Sequence, residues 1–113
     1  MQTISVKAAL AQLDVLAGQD VTLEGILHFA FERIALEHYP LSESAGHSSS
    51  LSLWTGAGSL GFDVEACRKL NGKRVLAQGT LSGPDPRLGG CGHMSAYPAE
   101  LLLRYLTKWP QQV

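Results

Sequence analysis

Two segments of the chain alternate apolar and polar residues, and this period of two predicts β-strands. In residues 21–31 one face of the strand is formed by Val21, Leu23, Gly25, Leu27, Phe29 and Phe31. Residues 75–81 have the same form, with Gly79 in the interior. Because an interior glycine weakens a flat strand, it usually marks a bulge or a sharp bend. Two bent strands predict a small sheet that coils into a barrel.

Three further segments predict the elements between and beside these strands. Alternation predicts strands over residues 34–38 and from Leu51 to Trp54. Asp63 is a predicted cap for a short helix over residues 64–70, and Asn71-Gly72 predicts the turn that leads into the strand at Lys73. The serine-rich residues 42–50 contain almost no apolar side chains and predict a mobile loop.

The first 19 residues predict a helix. Apolar residues recur at helical spacing at Val6, Leu10, Leu13 and Ala17. Thr3 or Ser5 is the predicted cap, and Gly18 is the predicted stop. The helix is expected either to plug an open end of the barrel or to pack against a second chain.

The last 32 residues are less regular. Residues 82–98 have no apolar periodicity and are predicted to form a long loop. Residues 99–109 fit a helix or a strand. We favour the strand, because a barrel of four strands would leave its edges unpaired.

The resulting order is a helix, three strands, a short helix and two strands. This order resembles the OB-fold superfamily, a five-stranded Greek-key barrel. The resemblance is carried by residues 21–27 as a bent first strand, and by residues 63–81 as helix, turn and fourth strand. It implies a mostly β protein, a single OB-like domain over 1–113 with an N-terminal helix (1–19) and a barrel (20–109), and a short helix between strands 3 and 4. The chain is similar to small bacterial OB-like proteins without an assigned activity, and no named family is indicated.

The resemblance also implies a binding surface. OB-folds commonly bind single-stranded nucleic acids or oligosaccharides across strands 2 and 3. In this chain that surface would come from residues 51–54 together with one of two alternating sets. The two sets are Ala35, Glu37 and Tyr39, or Ile34, Leu36 and His38. The loop 82–98 would overhang it.

Composition limits the class of protein. The chain has 113 residues, of which 45% are hydrophobic and 17% are charged, as expected for one globular domain. Two cysteines give no disulfide framework, and no secretory signal is evident, so a cytoplasmic location is expected. No segment approaches the roughly 20 apolar residues that span a bilayer, and no membrane association is expected.

The net charge of −1 conceals an uneven distribution. Residues 1–65 contain two basic and eight acidic residues, whereas residues 66–113 contain seven basic and two acidic residues. This asymmetry fits a basic ligand face or complementary faces that meet in a homo-oligomer. It also fits no function at all, because halves of a sequence are not halves of a structure.

A surface for single-stranded nucleic acid needs exposed rings beside cations. The candidate rings are Tyr39, Trp54 and Tyr97, and the candidate cations are Arg33, Arg74, Arg87 and Arg104. Aromatic residues make up only 7% of the chain, and Glu37 lies on the same predicted strand as the binding surface. Packing in the core or at its rim is the alternative for each ring.

Cys91 and His93 lie in a loop with three glycines. Zinc requires four such ligands, and no second spacing of this kind is present, so zinc is only a weak alternative to a tight structural loop. Cys91 paired with His93 or His38 is the one candidate for nucleophilic catalysis, but nothing in the sequence orients the imidazole. We therefore predict no catalytic residue, no cofactor and no enzymatic activity.

These observations predict a binding or interaction module, which acts by protein–protein contact or self-assembly through the barrel face and the 82–98 loop. The residues predicted to contact the partner are His38, Tyr39, Trp54, Arg87, Cys91, His93 and Tyr97. The alternatives are single-stranded nucleic-acid binding and a small metal-binding protein that uses Cys91 and His93.

Overall fold

Six strands and three short helices make up the part of the chain that the structure, a computed structural model, describes. The described residues are 3–30, 33–44, 46–54, 64–83 and 97–109. The elements are β1 (Thr3–Ser5), α1 (Val6–Ala11), α2 (Leu13–Leu16), β2 (Asp20–Ala30), β3 (Arg33–Glu37), β4 (Ser50–Trp54), α3 (Val64–Lys69), β5 (Arg74–Ser82) and β6 (Glu100–Lys108). Two 3₁₀ turns, Leu41–Glu43 and Gly46–Ser49, join β3 to β4.

Five of the strands close into a barrel in the order β2-β3-β4-β6-β5, and β5 pairs with β2 to complete the circle. The β4–β6 pair is parallel, and the other pairs within the barrel are antiparallel. This arrangement confirms the predicted fold class, a mostly β chain with a five-stranded Greek-key barrel. The helix α3 lies between the third and fourth barrel strands, as predicted.

Strand β2 is long because it belongs to both halves of the barrel. Its residues 20–26 pair with β5, and its residues 26–30 pair with β3. A β-carbon on Gly25 would lie 2.5 Å from the Glu37 carbonyl oxygen. Gly79 stands beside a register shift in the β5–β6 pair. Both interior glycines therefore mark a close approach or a bulge, as their sequence context predicts.

The predicted N-terminal helix over residues 1–19 divides into three elements. Residues 3–5 are extended and form β1, which pairs in parallel with residues 22–24 of β2. This part of β2 lies before its pairing with β3 begins, so its edge accepts another strand. Ser5 is the cap of α1, and its Oγ accepts a hydrogen bond from the Ala8 N–H at 3.1 Å. Gly18 follows α2 with φ of +86° and ends the helical segment.

The barrel interior is filled by aliphatic side chains. The largest fully buried ones are Leu23, Leu27, Leu36, Leu51, Leu81, Leu101, Leu103, Val6 and Val75. Helix α1 contributes Val6 and Ala9 to this core, and both are completely buried. The helix therefore packs onto the barrel of its own chain, whereas closure of an open end and contact with a second chain stay predictions.

The structure of two other segments can be compared with the prediction for each. The strand predicted over residues 99–109 is confirmed as β6, and the helical alternative is wrong. The segment predicted as a mobile loop contains two 3₁₀ turns, in which the Ser50 hydroxyl donates to the Gly46 carbonyl at 2.7 Å. The predicted Asp63 cap and residues 84–96 of the predicted loop lie outside the described residues.

Candidate functional site

Part of the surface that the OB-fold resemblance assigns to a ligand is buried. Leu36 and Leu51 face the core, so their neighbours on β3 and β4 point outward. Among these outward residues, Ala35 is 1% exposed and Ser52, which lies opposite it, is 6% exposed. In the alternative set, Leu36 and His38 are also buried. Ile34, Glu37 and Tyr39 are only partly buried, so binding at this surface stays a prediction.

Of the seven residues predicted to contact a partner, the structure describes the side chains of three, His38, Tyr39 and Tyr97. Tyr97 is buried, so its ring is not exposed for stacking, and the alternative of core packing is correct. Trp54 lies at the end of β4, but its side chain is outside the described part of the structure. Arg87, Cys91 and His93 also lie outside the described residues.

Tyr39 is part of a cluster that was not predicted from the sequence. The Arg74 guanidinium carbon lies 3.9 Å from the centroid of the Tyr39 ring and 3.8 Å from the centroid of a Trp109 ring. Arg74 Nε donates to Glu24 Oε2 at 3.0 Å, and Arg74 Nη2 donates to the same oxygen. We call Glu24, Tyr39, Arg74 and Trp109 the aromatic–arginine cluster.

Barrel closure brings the cluster together. Arg74 begins β5 and lies opposite Ile26 of β2, two residues from Glu24 along the strand. Trp109 follows β6, and its N–H donates to the Arg74 carbonyl at 2.9 Å. Tyr39 follows β3, and the structure describes it as half-buried. In the sequence, only the alternation of β2 and β5 points to this cluster, because it places Glu24 and Arg74 on the outer side of their strands. That the two residues are neighbours follows only from the β2–β5 register.

A second arginine is paired at the other end of the same strands. Arg104 Nη1 donates to Asp20 Oδ1 and Arg104 Nη2 donates to Thr80 Oγ1, both at 2.6 Å. The Thr80 hydroxyl donates to Asp20 Oδ1 at 2.9 Å. The hydrogen bond from Arg104 first, and that from Thr80 second, lower the pKa of Asp20 below its ordinary value.

These two pairs join acidic residues of the first half of the sequence to basic residues of the second half. The acidic residues Asp20 and Glu24 lie on β2, and their basic partners Arg104 and Arg74 lie on β6 and β5. The barrel places β5 between β2 and β6, so charges from the two halves of the sequence meet within one chain. The surface that carries them is nearly neutral.

The outer side of β2, β5 and β6 is more accessible than that of β3 and β4. At the register shift, Leu103 pairs with Gly79 and Tyr105 with Gln78, so Arg104 is an extra residue in β6. The extra residue lets Leu102 and Tyr105 both lie on the outside. Tyr105 is 57% exposed. We call this surface the open face; its outward β5 and β6 residues and the adjoining tryptophan are Arg74, Leu76, Gln78, Thr80, Leu102, Tyr105, Thr107 and Trp109.

His38 has a structural partner. Its side chain is 6% exposed, and its Nδ1 accepts the backbone N–H of Lys7 in α1 at 3.3 Å. Desolvation by burial, and then the charge of Lys7, lower the pKa of His38 below its ordinary value, against the opposing charges of Glu43 and Glu24. This side chain serves as a hydrogen-bond acceptor for the first turn of α1.

Within the described residues, no group of three or more His, Cys, Asp or Glu side chains is placed to hold a metal ion. No helix in the described ranges has the length and apolar character that a membrane span requires. No protein-family model matches the chain, and no curated protein matches it in sequence.

Proposed function

We propose that this protein is an OB-like interaction module that binds a second copy of its own chain through the open face. The superfamily assignment is supported by the strand order and by the position of α3 between the third and fourth barrel strands. The binding role is supported by one observation above all. Tyr39, Arg74 and Trp109 stack together at the edge of a face that also presents the exposed Tyr105.

The composition of the open face favours a protein partner. Tyrosine, tryptophan and arginine are the residues most enriched among the energetic anchors of protein interfaces. In the cluster, stacking restrains the guanidinium and Glu24 neutralises it, so little conformational entropy is lost when a partner covers it. The apolar side chain of Leu76 lies between the cluster and Tyr105, and that of Leu102 extends the surface on the other side of Tyr105.

The same face is poorly suited to nucleic acid. Binding of single strands depends on cations that neutralise phosphates and on rings that stack with bases. Arg74 and Arg104 each pair with a carboxylate of the same chain, and Tyr39 and Trp109 each place a ring on Arg74. A phosphate backbone would have to compete with Glu24 and Asp20 for these cations.

A second copy is the partner that suits a neutral face with both signs of charge. A two-fold axis would place the same patch of each chain against the other, so acidic and basic side chains would meet without excess charge. Apolar contacts around Tyr105 would then supply most of the binding free energy.

The test is sedimentation velocity of the full chain over a wide concentration range. We expect a reversible monomer–dimer equilibrium, and Tyr105→Glu should weaken it by about thirtyfold or more because it places a charge in the contact. Val15→Glu is the matched control, since Val15 is similarly exposed at 63% but lies on α2. Chains that stay monomeric at every concentration would overturn the proposal. Tight, steeply salt-dependent binding of a single-stranded oligonucleotide that Tyr105→Glu abolishes would assign the face to nucleic acid instead.

A further inference from the structure

Two side chains share the capping of α1. The Ser5 hydroxyl accepts the N–H of Ala8, and His38 Nδ1 accepts the N–H of Lys7 from a position 31 residues away in sequence. The first N–H groups of a helix have no partner inside the helix, so such caps decide whether a short helix forms. With six residues, α1 is too short to be stable without its caps and its packing.

The hydrogen bond fixes the protonation state of His38. An imidazole that accepts at Nδ1 carries its proton on Nε2, whereas an imidazolium carries protons on both nitrogens and has no acceptor. Protonation would therefore set an N–H at Nδ1 against the N–H of Lys7. It would also place a positive charge at the helix N-terminus, whose partial charge is positive as well.

The charged groups around His38 come from three elements. Lys7 of α1 opposes the imidazolium, and Glu43 of the first 3₁₀ turn and Glu24 of β2 favour it. Burial outweighs these two carboxylates, so the pKa lies below the ordinary value of 6.5. The contribution of the neutral imidazole to stability is complete above that value, and it is lost as the pH falls through the lower pKa of the folded protein.

We propose that His38 is a proton-sensitive latch, and that its protonation in acidic solution releases α1 from the barrel. Release would expose the side of α1 that carries Val6 and Ala9, together with the part of the core that it covers. Because the barrel strands are paired independently of α1, the barrel is expected to stay closed. This inference does not depend on self-association through the open face.

Amide hydrogen exchange measured by NMR tests the latch. In the wild-type protein, protection of the Lys7 amide, corrected for intrinsic exchange, should fall about tenfold or more between neutral pH and full protonation of His38. In His38→Asn, whose carboxamide oxygen can accept the same hydrogen bond without titrating, protection should be nearly constant. His28→Asn, a change on the outer side of β2, should behave as the wild type does.

If His38→Asn does not fold, a second measurement on the wild-type protein tests the latch. Two-bond nitrogen–proton correlations in the wild-type protein should show Nε2 protonated and Nδ1 unprotonated at neutral pH, and the Lys7 amide shift should titrate with the same midpoint as the imidazole. The latch is overturned by a proton on Nδ1 at neutral pH or by unequal midpoints. Protection that is constant in the wild type, or that falls equally in His38→Asn, also overturns it.

Discussion

The backbone carbonyl oxygen of Leu102 occupies the space that a β-carbon on Gly79 would need. The carbonyl carbon of Leu102 would lie 2.8 Å from that β-carbon, and Leu103 Cα would lie 3.2 Å from it. All three atoms belong to the backbone of β6 beside the bulge, so they cannot move away as a flexible side chain could. Gly79 is therefore needed for the close approach of β5 and β6 and not for a special backbone conformation.

Gly79→Ala is expected to destabilise the protein by about 3 kcal/mol or more, because one strand must shift or the bulge must be lost. The free energy of unfolding, measured by urea titration, checks this. Gly83→Ala is the control, since a β-carbon on Gly83 would meet no heavy atom of the described residues within 4 Å. Equal effects of the two substitutions would contradict the assignment of Gly79 to close packing.

Arg74→Lys is expected to lower the free energy of unfolding by about 1–2 kcal/mol. The ammonium retains a charge near Glu24 but loses the planar group that fits between Tyr39 and Trp109. Unfolding followed by tryptophan fluorescence measures the loss and reports on the surroundings of Trp109. Arg104→Lys should have a smaller effect, since its partner Asp20 is well exposed and such pairs contribute little. A larger effect at Arg104 would contradict this ranking.

The parts of the fold that the sequence predicts are those governed by local period. Alternation over residues 21–31 and 75–81 identifies β2 and β5. It also shows which of their side chains point into the barrel. Gly25 and Gly79 identify the places where neighbouring strands come close. Local period cannot show that residues 3–5 form β1, because that strand exists only where β2 has a free edge.

The site was less predictable because it depends on contacts between distant residues. Tyr39, Arg74 and Trp109 follow or begin three different strands, and only barrel closure makes them neighbours. His38 and Tyr97 have the residue types of a binding site, but both are buried. The resemblance to the OB-fold implies the strand order, but it carries no information on the burial of Ala35 and Ser52.

Asn71 forms a long-range hydrogen bond in addition to its part in a local turn. Asn71-Gly72 was predicted as a turn, and Gly72 has the expected positive φ of +79°. In addition, Asn71 Oδ1 accepts the backbone N–H of Phe29 at 2.8 Å. Asn71→Ala should therefore lower the free energy of unfolding by about 1 kcal/mol and increase the exchange rate of the Phe29 amide. Asn71→Asp, which keeps an acceptor oxygen, should largely preserve both values; a loss equal to that of alanine would show that the turn alone matters.

Glu100 provides a prediction about pH with a definite sign. Burial raises the pKa of this carboxyl above its ordinary value of 4.5, although a hydrogen bond from Ser52, its neighbour on β4, opposes the rise. The folded protein therefore binds more protons than the unfolded chain between the two pKa values. As a result, the contribution of Glu100 to stability falls as the pH rises from 4.5 through the pKa of the folded state. Glu100→Gln keeps an oxygen for Ser52 and cannot ionise, so it should be more stable than the wild type near neutral pH.

The comparison needs urea unfolding of both proteins across that pH range. The advantage of Glu100→Gln should shrink as the pH falls towards 4.5 and below, because a growing fraction of the wild-type carboxyl is then protonated in the folded state. Ser52→Ala removes the hydrogen bond that favours the ionised form of Glu100. It should therefore widen the pH range over which the stability of the protein falls. Parallel stability curves for wild type and Glu100→Gln would mean that water solvates the carboxylate as well in the folded protein as in the unfolded chain, and burial of Glu100 would then have no energetic consequence.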